Sequence, residues 1–289
     1  MPAIAARSAG LVVKPSEACL GAEIAGIDLS QPLSAEVFGE ILDVFHRYSV
    51  ICFRDQKLTP EQLAAFSARF GELDVHHMTE HTLPHLPQVR ILSNAVKDGK
   101  AVGIVRGGMH WHSDLSYKKQ PALATLLYGL ECPPEGADTQ FAGMYEAYDA
   151  LAPEIKAKLK GRRAVHDRNF RYSQLYPDRP PLTAEQVAKV PPVEHPVVRI
   201  HPVTKRPSLY IAKDVVSKIV SMPEEGRRLI DELEEFATQP RFVYSHKWRP
   251  HDLIVWDNRC SLHRATPYDN KYRRTLQRTQ VKGEAPIPA

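Results

Sequence analysis

Residues 255–265 read Val255-Trp-Asp-Asn-Arg-Cys-Ser-Leu-His-Arg-Ala265, and they place His263 seven residues after Trp256, where a predicted buried strand ends. A second histidine lies about 150 residues earlier, in the segment Trp111-His-Ser-Asp114. In an extended segment, residues i and i+2 point to the same side, so His112 and Asp114 can both face one metal ion. His263 then adds a third ligand. The sequence therefore predicts a metal site built from two imidazoles and one carboxylate.

This ligand set suits several divalent metals, namely Fe(II), Mn(II), Co(II) and Zn(II). Two histidines and one carboxylate on one side of the ion form the facial triad of non-haem iron oxygenases, which leaves positions open for other ligands. A zinc hydrolase can use the same three residues, but it needs a general base near the bound water. We find no such base at an obvious spacing. Both classes of enzyme stay open on the ligands alone.

Two arginines follow the second histidine. Arg274 and Arg278 are an even number of residues apart, so they share a side of the strand predicted over residues 274–281. A guanidinium group binds a carboxylate through two parallel hydrogen bonds. The spacing predicts a pocket for two anions, and the alternative is a solvated basic surface.

The remaining elements predict an antiparallel β-core with helices set outside it. Helices are predicted from Ser34, from Thr59 with Gly71 as the stop, and over residues 144–151, 153–160 and 223–238. Other strands are predicted over residues 49–53, 89–93, 122–130, 197–201, 208–211, 241–246 and 253–256. Residues 167–193 are rich in Pro, Arg and Tyr and predict a long, lid-like loop.

The composition of the chain excludes several classes of function. The chain has 289 residues, of which 43% are hydrophobic and 25% charged, as in ordinary globular proteins. A net charge of +4 is too small to indicate nucleic-acid binding. The four dispersed cysteines argue against a zinc knuckle. A secretory signal and an 18-residue apolar run are both absent from the sequence, which predicts a cytoplasmic protein without a membrane partner.

The order and spacing of these motifs resemble the TauD/TfdA family of Fe(II)/2-oxoglutarate-dependent dioxygenases. The resemblance extends from about Gly10 to Gly283. It includes the segments Gly21–Leu29, Phe70–Leu73, Gly136–Thr139 and His195–Arg206. It implies a single dioxygenase domain over residues 1–289, of α+β class, with a double-stranded β-helix (jelly-roll) core and flanking helices. It also implies Fe(II), the cosubstrates 2-oxoglutarate and O2, and a homo-oligomer.

The resemblance also implies roles for individual residues. His112, Asp114 and His263 would bind Fe(II). Cosubstrate contacts would come from Thr139, from Arg274 at the distal carboxylate, and from Trp256 in the pocket wall. His76 and Arg278 would bind the substrate, with Arg278 at its acid group.

The motifs lie closer to the phenoxyacetate branch than to the taurine enzymes. Gly108 and His110 stand where taurine enzymes carry an Asn-containing segment. We therefore expect a small anionic substrate such as an aryloxyalkanoate, with alkyl sulfonates as the alternative. Hydroxylation next to an ether oxygen would cleave the product. A zinc hydrolase and a non-catalytic protein that binds a small acid are the alternatives from other classes.

Overall fold

The computed structural model describes residues 11–75, 80–105, 107–177, 180–222 and 224–289. Helices are few and mostly short. They are α1 Ala35–Tyr48, α2 Pro60–Ala68, α3 Met144–Asp149, α4 Pro153–Leu159, α5 Tyr172–Leu175, α6 Ala184–Ala188 and α7 Glu225–Ala237, with a 3-10 turn at Pro240–Phe242. Within the described ranges, these helices lack the length and apolar character needed to span a membrane.

Strands dominate the chain. In chain order they are β1 Val12–Pro15, β2 Ala22–Ala25, β3 Val50–Phe53, β4 Thr82–Leu83, β5 Leu86–Ser93, β6 Val96–Lys97, β7 Lys100–Ala101, β8 Ala122–Glu131, β9 Thr139–Gly143, β10 Arg163–His166, β11 Val193–Pro196, β12 Val198–Ile200, β13 Pro207–Leu209, β14 Val216–Ile219, β15 Val243–His246, β16 Leu253–Asp257, β17 Ser261–Ala265, β18 Thr275–Lys282 and β19 Ile287–Pro288.

The first two helices begin where the sequence predicts. The Ser34 hydroxyl accepts a hydrogen bond from the Val37 amide and caps α1. Thr59 and Gln62 form the predicted capping box at the start of α2. The prediction that Gly71 ends α2 was wrong in detail, because the helix ends at Ala68 and Arg69 caps it.

The main sheet has eight strands in the order β1-β2-β3-β16-β8-β18-β5-β4. All pairs are antiparallel except β2 with β3. One side packs its apolar residues, such as Leu126 and Val255, against Phe45 of α1 and Leu63 of α2. The opposite side carries Leu127, which belongs to a separate core cluster. Both sides are therefore covered, and only the second bears the polar residues of the site.

A three-stranded sheet, β15-β9-β17, packs on that second side. Phe141 of β9 meets Trp256 of the main sheet, with ring centroids 5.4 Å apart. His263 of β17 lies directly opposite Phe141 in the pairing register, so its ring is carried towards the main sheet. This packing brings the two histidine-containing motifs to one place.

The other strands form a second core with α3 and α7. They make the sheets β11-β10-β14 and β13-β12-β19, and a small hairpin joins β6 to β7. Residues 167–193 are less irregular than predicted. The described part of this stretch contains the short helices α5 and α6, and β11 begins at Val193. Thr183 caps α6 through a capping box that was not predicted from the sequence.

The mixed α and β content agrees with the predicted class. Each predicted strand corresponds to an observed one, with shifted ends, but β9 and β17 of the small sheet were not predicted. Both strands position functional candidates, since β9 begins at Thr139 and β17 contains His263.

Candidate metal centre and anion pocket

The three predicted metal ligands lie together. The Nε2 atom of His112 is 3.9 Å from Oδ1 of Asp114, and Nε2 of His263 is 3.7 Å from Oδ2. One potential ligand atom from each residue lies within 4.8 Å of the others. Asp114 and His263 are buried, while His112 is half-buried and marks the side from which solvent reaches the group.

The backbone brings His112 and Asp114 together in a way the sequence did not predict. Residues 111–114 are not part of a strand. His112 instead forms an isolated antiparallel bridge with His263, in which each backbone amide donates to the other residue's carbonyl, at 3.1 and 2.9 Å. Gly108 adopts a φ of +74°, and a Cβ there would lie 3.3 Å from Cε1 of His112. A glycine is therefore suited to this close approach.

Asn258 and Thr125 fix the carboxylate. The Asp114 amide donates to Oδ1 of Asn258 at 3.0 Å, and the Thr125 hydroxyl donates to Oδ2 of Asp114 at 2.7 Å. Nδ2 of Asn258 in turn donates to the Thr125 hydroxyl at 3.0 Å, and the Trp256 indole donates to Oδ1 of Asn258 at 3.1 Å. This closed, buried network leaves Oδ1 of Asp114 free of a hydrogen bond among the described residues.

A hydrogen bond to the backbone holds His112 in the form that binds a metal. Nδ1 of His112 donates to the carbonyl of His110 at 2.7 Å, which leaves Nε2 as the lone-pair nitrogen facing Asp114. Burial, reinforced by the charge of His112, lowers the pKa of His263 to about 3. Burial alone would raise the pKa of Asp114, but the charges of His263, Arg278 and His112 lower it to about 2. An ionised carboxylate and neutral imidazoles are the states that metal binding requires.

Two other buried groups combine a histidine, a carboxylate and a cysteine, namely Cys52–His246–Asp252 and His201–Asp257–Cys260. Each carboxylate already has a guanidinium partner, Arg54 on Asp252 at 2.5 Å and Arg259 on Asp257 at 2.7 Å. These groups are therefore buried ion pairs with their charge satisfied. The cation nearest Asp114 among the described residues, Arg278, is 3.8 Å away and makes no hydrogen bond to it. Of the three groups found among the described residues, the predicted ligands fit a divalent cation best.

Arg274 lies just before β18, and no carboxylate of the described residues lies within 4.0 Å of its guanidinium. Burial lowers the pKa of Arg274, and its guanidinium lies over the ring of Tyr268, 5.8 Å from the centroid. Thr139 is buried at the start of β9, where its hydroxyl accepts a hydrogen bond from the Trp248 indole at 2.9 Å. That bond leaves the Thr139 proton available for another acceptor.

Trp256 and Arg278 take different positions around the ligands. Trp256 is 1% exposed, and its ring packs on His263 at 4.6 Å. It therefore supports the ring of this ligand from behind. Arg278 lies on the side of β18 that faces Asp114, and its side chain is largely buried.

His76 lies outside the described residues. His110 points away from the ligands, with Nδ1 3.6 Å from Oδ2 of Asp214. Asn258, Thr125 and Arg90 were not predicted from the sequence. Asn258 stands within the motif quoted first, which was a usable signal, whereas Thr125 lies in an apolar strand that gives none. Arg90 lies directly opposite Arg278.

A sequence model of the "Taurine catabolism dioxygenase TauD, TfdA family" matches residues 12–280. The chain belongs to this family. It is 36% identical to an alpha-ketoglutarate-dependent 2,4-dichlorophenoxyacetate dioxygenase of Cupriavidus pinatubonensis, over 96% of this chain and 99% of the relative. It is 32% identical to an (S)-phenoxypropionate/alpha-ketoglutarate-dioxygenase of Sphingobium herbicidovorans, over 94% and 95% of the two chains.

The TauD/TfdA fold is also seen in solved structures. The crystal structure of AAD-2 in complex with Mn(II) and N-oxalylglycine superimposes with a TM-score of 0.82 at 34% identity, covering 96% of this chain and 99% of that one. The predicted family is thus confirmed, as is its phenoxyacetate branch.

Proposed function

We propose that this TauD/TfdA member is a non-haem iron dioxygenase that uses 2-oxoglutarate and O2 to oxidise a small anionic acid. Aryloxyalkanoates are the leading candidate substrates. The observation that carries the proposal is the group of His112, Asp114 and His263 beside two arginines. Arg274 has no carboxylate of the described residues within 4.0 Å, and Arg278 lies 3.8 Å from Asp114 without a hydrogen bond to it. A metal with three protein ligands keeps open positions, and the arginines supply charge for the acids that would occupy them or lie beside them.

His112, Asp114 and His263 are the proposed Fe(II) ligands. The bound iron, with 2-oxoglutarate, supplies the activation of O2. The protein's part is to hold the ligands in position. The His110 carbonyl orients His112, the Thr125–Asn258 pair orients Asp114, and Trp256 and Phe141 pack on the ring of His263.

Replacing Thr125 with valine tests this support. The change keeps the shape but removes the donor to Asp114 and the acceptor for Asn258. Residues behind metal ligands typically contribute roughly 10- to 100-fold in metal affinity, so we expect a loss of that size in an anaerobic Fe(II) titration.

The matched control is Thr279→Val. Thr279 is also fully buried in the main sheet, but its hydroxyl bonds Ser67 on the side that faces α2. We expect this variant to lose stability and to keep its metal affinity. Equal metal affinity in both variants would contradict the role of Thr125.

Arg274, Thr139 and Trp256 are the proposed cosubstrate residues. Arg274 offers a buried two-pronged donor for the distal carboxylate, and Thr139 has a hydroxyl proton left to donate because Trp248 already uses its oxygen. Trp256 acts from behind His263. A zinc hydrolase would give Arg274 no role.

Arg278 is the proposed anchor of the substrate's acid group, together with His76. The relatives with the phenoxyacetate and phenoxypropionate names support aryloxyalkanoates as substrates. Alkyl sulfonates are the second candidate class. They rank lower because Gly108 and His110 stand where taurine enzymes carry a polar segment. Cleavage of the hydroxylated product stays a prediction.

The wider family features belong to the same proposal. The main sheet and the β15-β9-β17 sheet are proposed as the two layers of the jelly roll, within a single domain over residues 1–289. A homo-oligomer and a cytoplasmic location stay predictions.

The test of the function is spectroscopic and then catalytic. Anaerobic addition of Fe(II) and 2-oxoglutarate should give a weak visible charge-transfer band. Under air, phenoxyacetates should stimulate succinate formation more than alkyl sulfonates do. A colourless protein that forms no succinate with any acid would overturn the proposal and favour a zinc enzyme or a binding protein.

A further inference from the structure

A second arginine lies beside the proposed substrate anchor. Arg90 of β5 and Arg278 of β18 are directly opposite partners in an antiparallel pair. Opposite residues of such a pair project to the same side of the sheet, about 5 Å apart at Cβ. Because Arg278 faces Asp114, Arg90 faces the metal centre too. Like charges in this arrangement destabilise a sheet, so the pair calls for an explanation.

Arg90 is buried and Arg278 largely buried, and both guanidinium groups are incompletely bonded. Arg90 is 9% exposed, and the Nε atoms of Arg90 and Arg278 are buried without a hydrogen-bond partner. No carboxylate of the described residues lies within 4.0 Å of Arg90, and Arg278 approaches only Asp114, at 3.8 Å. Burial and the charge of Arg278 lower the pKa of Arg90 to about 10, which leaves it charged at neutral pH. Burying such a charge destabilises the protein unless a counter-charge binds beside it.

The proposed ligands of the site do not supply that counter-charge. Two positive charges on the metal and one on Arg274 are balanced by Asp114 and the two carboxylates of 2-oxoglutarate. Nearby, Lys118 is already paired with Asp74 at 3.0 Å, and Arg168 lies over the Tyr117 ring at 5.8 Å. Arg90 and Arg278 therefore present two unbalanced positive charges where the substrate would bind.

We propose that Arg90 determines substrate specificity, by forming with Arg278 a two-arginine site for a dianionic head group. This inference rests on the proposed function and narrows its substrate class. A phosphonate offers three oxygens and two charges, so it can accept hydrogen bonds from both guanidinium groups and neutralise both. A carboxylate on the same skeleton neutralises only one. Among aryloxyalkyl acids on the same skeleton, the site should therefore bind a phosphonate or similar dianionic head more tightly than a carboxylate.

The experiment compares two acids that differ only in the head group. Phenoxymethylphosphonate and phenoxyacetate are titrated calorimetrically into protein loaded with Mn(II) and N-oxalylglycine, at pH 8, where phosphate-type groups carry close to two charges. We expect the wild type to bind the phosphonate roughly 10- to 100-fold more tightly, the size of one extra charge-assisted interaction. In Arg90→Gln this preference should disappear, with most of the loss on the phosphonate.

Two further variants serve as controls. Arg90→Lys keeps the charge but not the planar donor, so it should bind the phosphonate with intermediate affinity and report that the fold survives. Arg228→Gln changes an exposed arginine that pairs with Glu232, and it should bind both acids as the wild type does. Melting temperatures of all variants identify any that are unfolded.

Equal wild-type affinity for the two acids would overturn the inference, as would an equal loss of both in Arg90→Gln. The second outcome would mean that Arg90 supports the site without selecting charge. Failure of the proposed function looks different, because neither acid would then stimulate succinate formation under air. If phenoxyacetate stimulates succinate formation but the protein shows no preference for the dianion, the inference about Arg90 is wrong and the proposed function is not.

Discussion

His263→Ala is expected to abolish stable Fe(II) binding and, with it, 2-oxoglutarate turnover. Residues behind ligands contribute roughly 10- to 100-fold in metal affinity, and a ligand itself should contribute more than that. Metal content after reconstitution and dialysis, together with the charge-transfer band, measures the result.

The control for His263→Ala is His195→Ala. His195 is similarly buried, and its Nε2 bonds the Lys118 carbonyl, but it has no place among the three ligands. Both substitutions open a cavity and should lower the melting temperature. Only the change at residue 263 should release the metal. If the His263 variant retained iron and the charge-transfer band, the proposed ligand set would be wrong.

Local features of the fold were predictable from the sequence. The caps at Ser34 and Thr59 depend on hydrogen bonds within a few residues, so the sequence contains all the information they need. The metal ligands were predictable for another reason. His112, Asp114 and His263 are chemically distinctive, and their motifs resemble those of a known family.

The small sheet was harder to predict because it is defined by distant pairing. Thr139–Gly143 and Ser261–Ala265 are five residues each, and neither has a clear apolar alternation. They become strands by pairing with each other and with β15. Distant pairing also decides the backbone at His112. The i and i+2 spacing predicts an extended segment there, but the structure has a single bridge to His263. The correct ligands were thus predicted with the wrong local backbone.

Arg90 is the clearest example of a residue whose position could not be predicted from the sequence. Nothing in the segment around it distinguishes this arginine from a surface residue. Its position depends on the register of β5 against β18, which places it opposite Arg278. Register is set by the turns and the buried side of the whole sheet, so a sequence motif does not contain it.

Arg274→Gln is expected to weaken 2-oxoglutarate binding strongly. Removing one partner of a buried, hydrogen-bonded charge pair costs about 2–5 kcal/mol, which corresponds to roughly 30-fold or more in affinity. The distal carboxylate would lose its two-pronged donor and stay buried without a full counter-charge, while Thr139 would keep only a single hydrogen bond to offer. The KM for 2-oxoglutarate and the midpoint of the anaerobic charge-transfer titration should rise together, while iron content stays unchanged.

The neighbouring residue supplies the matched control. Arg273 is exposed and pairs with Glu131 at 3.1 Å, so Arg273→Gln should leave both quantities unchanged. Arg278→Gln should show the opposite pattern to Arg274→Gln, weakening the acid substrate while 2-oxoglutarate titrates normally. If 2-oxoglutarate affinity instead collapsed in the Arg278 variant and survived in the Arg274 variant, the two arginines would exchange roles. Arg90 lies opposite Arg278 whichever ligand Arg278 binds. With the roles exchanged, the two-arginine site of Arg90 and Arg278 would therefore bind the cosubstrate.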